Sequence, residues 1–210
     1  MFKYRNKHFK ISLSFFTIIT LIIIILYSIF NLKPWKNAEQ KEPLINKDII
    51  SYYSYLPAYF IHNDIRLNFI ENDTIYDNQF WPETAPNGRK VIKTTMGMSI
   101  LYSPFFFMGH TYAKFSKKYD ANGFSKPYEF FLTLSSLFYL IIGLYYLRKI
   151  LLKSFNETTT SLTIASIVLG TNLYYYLTIE PCMSHAYNFS LICVFIYFVI
   201  RWFENPKLKY

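Results

Sequence analysis

Long stretches of this chain carry no charged side chain: residues 11–30, 130–147, 158–179 and 186–200 hold none. Charged residues make up only 17% of the sequence against 52% hydrophobic, a balance that excludes an ordinary soluble domain. Cysteine is nearly absent as well. Cys182 and Cys193 form no CxxC pair and Cys193 falls inside an apolar run, which excludes a disulfide framework. There is no Walker phosphate loop, Gly-rich dinucleotide loop or nucleophile elbow, so nucleotide chemistry on the cytoplasmic side has no support. The first apolar run lacks a small-x-small cleavage site and is followed by Asn31-Leu32-Lys33-Pro34-Trp35, the pattern of an uncleaved anchor rather than a secretory signal.

What is present is apolar length. About 20 helical residues cross a hydrocarbon layer roughly 30 Å thick, so each long run is a candidate span. The net charge of +9 would suggest nucleic acid in a soluble protein, yet here basic residues flank the apolar runs and no nucleic-acid partner is expected. Lys3, Arg5, Lys7 and Lys10 precede the first run, Arg148, Lys149 and Lys153 follow the second, and Arg201, Lys207 and Lys209 follow the last. The turn at 180–185 has no Lys or Arg. Residues 94–113 are uncharged and long enough to span, but letting them span puts that turn inside and scatters the basic residues over both faces. The positive-inside rule therefore favours a cytoplasmic N-terminus and an interfacial or re-entrant 94–113, rich in Tyr and Phe.

The expected fold is an all-α integral membrane protein with about four transmembrane helices and two interfacial juxtamembrane helices in a long outer loop. Residues 1–10 form a cytoplasmic N-terminus, 11–30 the first span, and 31–128 the outer loop with helices at about 48–62 and 96–115. Spans follow at 129–147, 161–179 and 186–203, joined by a cytoplasmic loop at 148–160 and an outer turn at 180–185, with a cytoplasmic tail at 204–210. The polar stretch from Glu71 to Lys90 reads as a loop, its acidic residues solvated.

This topology gathers Asp48, Asp64, Lys93, His110, Glu180 and His185 on the outer face. Asp48 opens an aromatic segment containing Tyr52 and Tyr53, where it either caps a helix or meets the headgroup layer as a base. Lys93 leads into the second interfacial helix, where it either snorkels or holds a lipid phosphate. Glu180 and His185 flank the outer turn and either cap helix ends or reach an acceptor. Neither His110 nor His185 has a second histidine at ligand spacing, so no metal site and no cofactor are assigned, and a divalent metal stays open.

Several stretches resemble one family. They are Asp48 to Asp64, Lys93-Thr94-Thr95-x-Gly97 running into Ser103-Pro104-Phe105-Phe106, the Asp120 to Tyr128 turn and Met183-Ser184-His185-Ala186-Tyr187. Together they resemble bacterial multi-pass glycosyltransferases of the GT-C type, relatives of protein mannosyltransferases and aminoarabinose transferases, over roughly residues 45–200. The resemblance implies a base at Asp48 that deprotonates the acceptor and a donor-phosphate contact at Lys93. Tyr52, Tyr53, Asp64, His110, Glu180 and His185 are then acceptor or site-lining candidates. The family's first-loop acidic pair is reduced here to Asp48-Ile49, and its Lys-Pro-Pro run reads Lys93-Thr94-Thr95. Family members carry more spans, so this chain is expected to be the N-terminal portion of a longer protein or a partial, inactive form. The implied partners are a polyprenyl-phosphate sugar donor, a glycan, lipid or protein acceptor, and membrane lipid. The implied location is the bacterial inner membrane. The alternative function is a noncatalytic polytopic protein that binds a carrier lipid or serves as an assembly subunit. A transporter fits less well, because the apolar runs hold no charged group at mid-depth.

Overall fold

The computed structural model describes residues 12–36, 43–72 and 82–206. Asp73 and Asp77 of the polar loop, the basic N-terminal residues, Lys207 and Lys209 lie outside that set. The chain is mostly helical, and three helices are long and apolar enough to cross a membrane: α1 (Leu13–Leu32), α5 (Lys126–Leu151) and α8 (His185–Glu204).

Local chemistry explains where α1 stops. Lys33 takes the left-handed conformation (φ 48°), its N–H caps the Ile29 carbonyl, and Pro34 cannot continue the helix. One seam of α1 is buried, Ser14, Ile18, Leu21, Ile25 and Ile29, spaced at one helical turn. The rest of its surface, including Phe16, Ile23 and Tyr27, is apolar and exposed, as suits a helix bathed in lipid.

Between α1 and α5 lie α2 (Lys47–Tyr53), α3 (Tyr55–Phe60) and α4 (Gly97–Ser116). The expected 48–62 helix is thus divided at Ser54, because Pro57 has no N–H to donate to the Tyr53 carbonyl. A two-residue antiparallel hairpin, β1 (Glu83–Thr84) with β2 (Lys90–Val91), sits in the polar loop, with Gly88 at φ 78° supplying its tight turn. In α4 the interior Pro104 leaves the Ile100 carbonyl without its helical donor, and the Ser103 hydroxyl donates to that carbonyl at 2.8 Å. This helix stands along the N-terminal half of α5 in antiparallel sense: Gly109 meets the backbone of Tyr128, and the Tyr139 hydroxyl donates to the Leu101 carbonyl at 3.1 Å.

The stretch expected to be one span at 161–179 is not one helix. It divides into α6 (Glu157–Gly170) and the single turn α7 (Tyr175–Thr178). Gly170 is a poor helix former and Thr171 is extended. The Thr171 hydroxyl then serves the broken backbone on both sides, donating to Ile167 O at 2.7 Å and accepting from Leu173 N at 3.2 Å. Even so, Glu157 meets Ser14 and the Tyr174 hydroxyl meets Ser28 at 2.7 Å, so this segment runs the length of α1.

Helix α5 is the hub, packed by α1, α4, α6, α7 and α8. It runs parallel to α8, whose Tyr187 bonds to Ser135 and Ser136 near one end while Glu204 pairs with Lys153 at the other. The bundle therefore has two distinct ends. One holds Ser12, Ser14, Arg148, Glu157, Lys153 and Glu204, with Arg148 bonded to Ser12, Ser14 and Glu157. At the opposite end, beyond Leu32 of α1, lie Trp35 against Phe130, the helices α2 and α3, and the 179–185 turn.

Candidate functional site

An open cavity of about 640 Å³ lies at that second end. Its walls come from parts of the chain far apart in sequence: Pro34, then Pro43, Leu44 and residues 46–49, and Ile179, Glu180 and Met183. The first wall is built by an unusual approach to α2. Asn46 is extended (φ −140°, ψ −179°), and Lys47 turns left-handed (φ 47°) before the helix proceeds. For a residue with a Cβ that turn costs about 1 kcal/mol or more. Asp48 follows in the first turn of α2, exposed, where the helix dipole favours its negative charge.

The second wall is a tight turn. Glu180 N donates to Tyr175 O, Met183 N donates to Glu180 O at 3.2 Å, and the Tyr175 hydroxyl donates to Glu180 Oε1 at 3.1 Å. Asp48, Glu180 and Lys47 thus line one solvent-open space. Behind the walls lies Glu129 in the first turn of α5, 6% exposed. Its carboxyl accepts the backbone N–H of Leu44 at 2.8 Å and that of Ile45. Cys182, fully buried in the same turn as Glu180, has its thiol held well above its usual value by burial and then by the Glu129 carboxyl, which leaves it unsuited to act as a nucleophile.

The other expected site residues are placed elsewhere. Lys93 is exposed and is not among the residues lining this cavity; its neighbour Thr94 accepts the Tyr55 hydroxyl at 2.6 Å. The structure therefore does not bring Lys93 to the cavity that Asp48 lines, and the lysine that lines it with Asp48 is Lys47. Tyr53 is fully buried and donates to the Gly123 carbonyl, so the structure places it in the packing and not on the cavity wall. Tyr52 is half-buried, and its carbonyl accepts the Ser99 hydroxyl. Asp64 caps its own turn, accepting from the backbone N–H groups of Arg66, Asn68 and Phe69 at 2.9, 2.7 and 3.1 Å, which uses the carboxylate locally.

His110 Nδ1 lies 2.6 Å from the Tyr128 hydroxyl, with its ring stacked on Phe106, and its pKa is lowered by burial and by Lys114. His185 stacks flat on Tyr176 with centroids 3.6 Å apart, away from the cavity lining. Among the described residues no three His, Cys, Asp or Glu side chains come together to hold a metal.

A second, nearly apolar groove of about 380 Å³ runs between α3 and the start of α4, lined by Tyr55, Tyr59, Phe60, Met96 and Ile100 among others. Burial raises the pKa of Tyr55, keeping its hydroxyl a donor to Thr94.

Lys47 and Glu129 escaped the sequence pattern. Glu129 borders the uncharged run that begins at Phe130 and reads there as an ordinary helix-end charge; an acid two residues after Pro127 at a helix start was the only signal it gave.

These features define a helical protein with three membrane-length apolar helices and a carboxylate-lined cavity at one end of its bundle. Comparison of the chain with family models, curated proteins and solved structures finds no match. The resemblance to GT-C glycosyltransferases accordingly stands on the sequence stretches that carry it.

Proposed function

We propose that this chain is a membrane glycosyltransferase, or the N-terminal part of one, that moves a sugar from a polyprenyl-phosphate carrier to an acceptor on the outer face of a bacterial inner membrane. In this reading the 157–178 segment makes a fourth crossing, and the end of the bundle bearing Arg148 and Lys153 faces the cytoplasm. The observation that carries it is the cavity lined by both Asp48 and Glu180, which lie far apart in the sequence. Asp48 takes the proton of the acceptor hydroxyl, and the acceptor oxygen bonds to the anomeric carbon with inversion. The bond from that carbon to the phosphate oxygen breaks, and the polyprenyl phosphate leaves with the electron pair. Lys47 on the same cavity supplies positive charge for the leaving phosphate, in the role that the resemblance implies for Lys93.

Replacing Asp48 by Asn in the full-length protein should lower sugar transfer in membranes by about a hundredfold or more, the range of a lost general base. Unchanged transfer removes Asp48 from the mechanism. The apolar groove between α3 and α4 favours a second reading, a noncatalytic carrier-lipid binder; it predicts that lipid binding survives loss of Asp48 while no transfer is found at any substrate level.

A further inference from the structure

The buried carboxyl of Glu129 has no part in the chemistry above, yet it reaches the cavity wall from behind. Its carboxyl accepts the N–H groups of Leu44 and Ile45, the last backbone donors before the turn that delivers Asp48. Ile45 is 1% exposed, so its N–H has no water to fall back on, while Leu44 is half-buried and lines the cavity. Immediately after them the chain closes a tight turn, Asn46 N to Leu44 O at 3.0 Å, and enters the left-handed region at Lys47. The Asn46 side chain does not cap α2, although Asn at this position is a strong capping residue. A non-glycine left-handed residue persists only where the surroundings over-determine the backbone. Here the surroundings on the N-terminal side are the Glu129 clasp, anchored in the rigid first turn of α5.

We infer that Glu129 is a positioning residue: by clasping the Leu44 and Ile45 amides it holds the strained Lys47 turn and so presents Asp48 into the cavity. This rests on the reading of Asp48 as the base, and it adds a residue outside the cavity on which that base depends.

Amide hydrogen exchange on the full chain in lipid nanodiscs tests the clasp without reference to any activity. In Glu129→Gln the side chain keeps its shape, but one oxygen acceptor becomes an NH₂ donor. Exchange at Leu44 and Ile45 should rise at least about tenfold, while peptides within α5 and α8 keep wild-type protection. Because glycine adopts the left-handed turn without strain, adding Lys47→Gly to Glu129→Gln should restore much of the protection. Exchange at Leu44 and Ile45 unchanged by Glu129→Gln overturns the clasp, and a double variant as unprotected as the single overturns the role of the strained turn. In transfer assays Glu129→Gln should lower kcat with KM near wild type; loosened amides with unchanged kcat overturn the positioning role. Should Asp48→Asn leave transfer intact, the glycosyltransferase assignment of Asp48 fails, and the exchange results still decide whether Glu129 holds this segment.

Discussion

His110 shows how a single side chain that looks chemical in sequence becomes structural in context. Its ring is layered on Phe106, its Nδ1 meets the Tyr128 hydroxyl, and Lys114 one turn along α4 opposes a second positive charge. Burial first, and then that lysine, lower its pKa below the ordinary 6.5, so the folded chain takes up this proton less readily than the unfolded one. The stability linked to His110 is full above 6.5 and is lost as pH falls from there through the folded value. An NMR titration of the His110 ring should give a midpoint below 6.5, and one at or above it contradicts the packing described. Asp64 and Tyr53 follow the same logic, since their polar atoms are committed to backbone groups. Asp48 stood out because a charge opened an aromatic segment just past a span, and it does line a cavity. Glu129 did not, since nothing in its spacing foretells that the 44–45 backbone arrives at its carboxyl from 85 residues away.

At the level of elements, the apolar runs made α1, α5 and α8 legible, because length without charge is a direct statement about membrane-compatible helices. The break between α6 and α7 was less visible, since Gly170-Thr171 differs little from residues tolerated inside apolar helices and only the Thr171 hydroxyl bonds show how the break is satisfied. Glycines separate these elements into tight and loose contacts. A Cβ on Gly143 would lie 2.6 Å from the Phe189 ring and 3.0 Å from the Ser190 Cα, so α5 and α8 touch there through backbone. A ring can turn aside, but the Ser190 backbone cannot without moving α8. Gly143→Ala should therefore destabilise by roughly 1–3 kcal/mol. Around Gly170 there is open space, and Gly170→Ala should be neutral or slightly stabilising through its gain in helix propensity. Thermal unfolding in one detergent measures both, and equal effects would show that the α5–α8 contact is looser than the structure has it.

Across the whole molecule the two ends differ in chemistry, and the proposed orientation and function rest on that difference. One end concentrates Arg148, Lys149, Lys153 and Arg201, with Arg148 tied to Ser14 and Glu157 so that α1, α5 and α6 are pinned together. The other end carries the cavity with Lys47, Asp48 and Glu180. The proposed orientation puts these basic residues on the cytoplasmic side and the cavity outside. Single cysteines at Lys47 and Glu180 should then react with an impermeant maleimide in intact spheroplasts, and a cysteine at Lys153 only after lysis. Labelling of positions 47 and 153 from the same side would contradict the bundle itself, because α5 and α1 separate those residues by their full length. A clean reversal, with Lys153 labelled first, would leave the fold standing and turn the cavity to the cytoplasm. Asp48 would then face a compartment for which the chain has no nucleotide-binding motif, and the outer-face transfer reaction would fail with the fold intact.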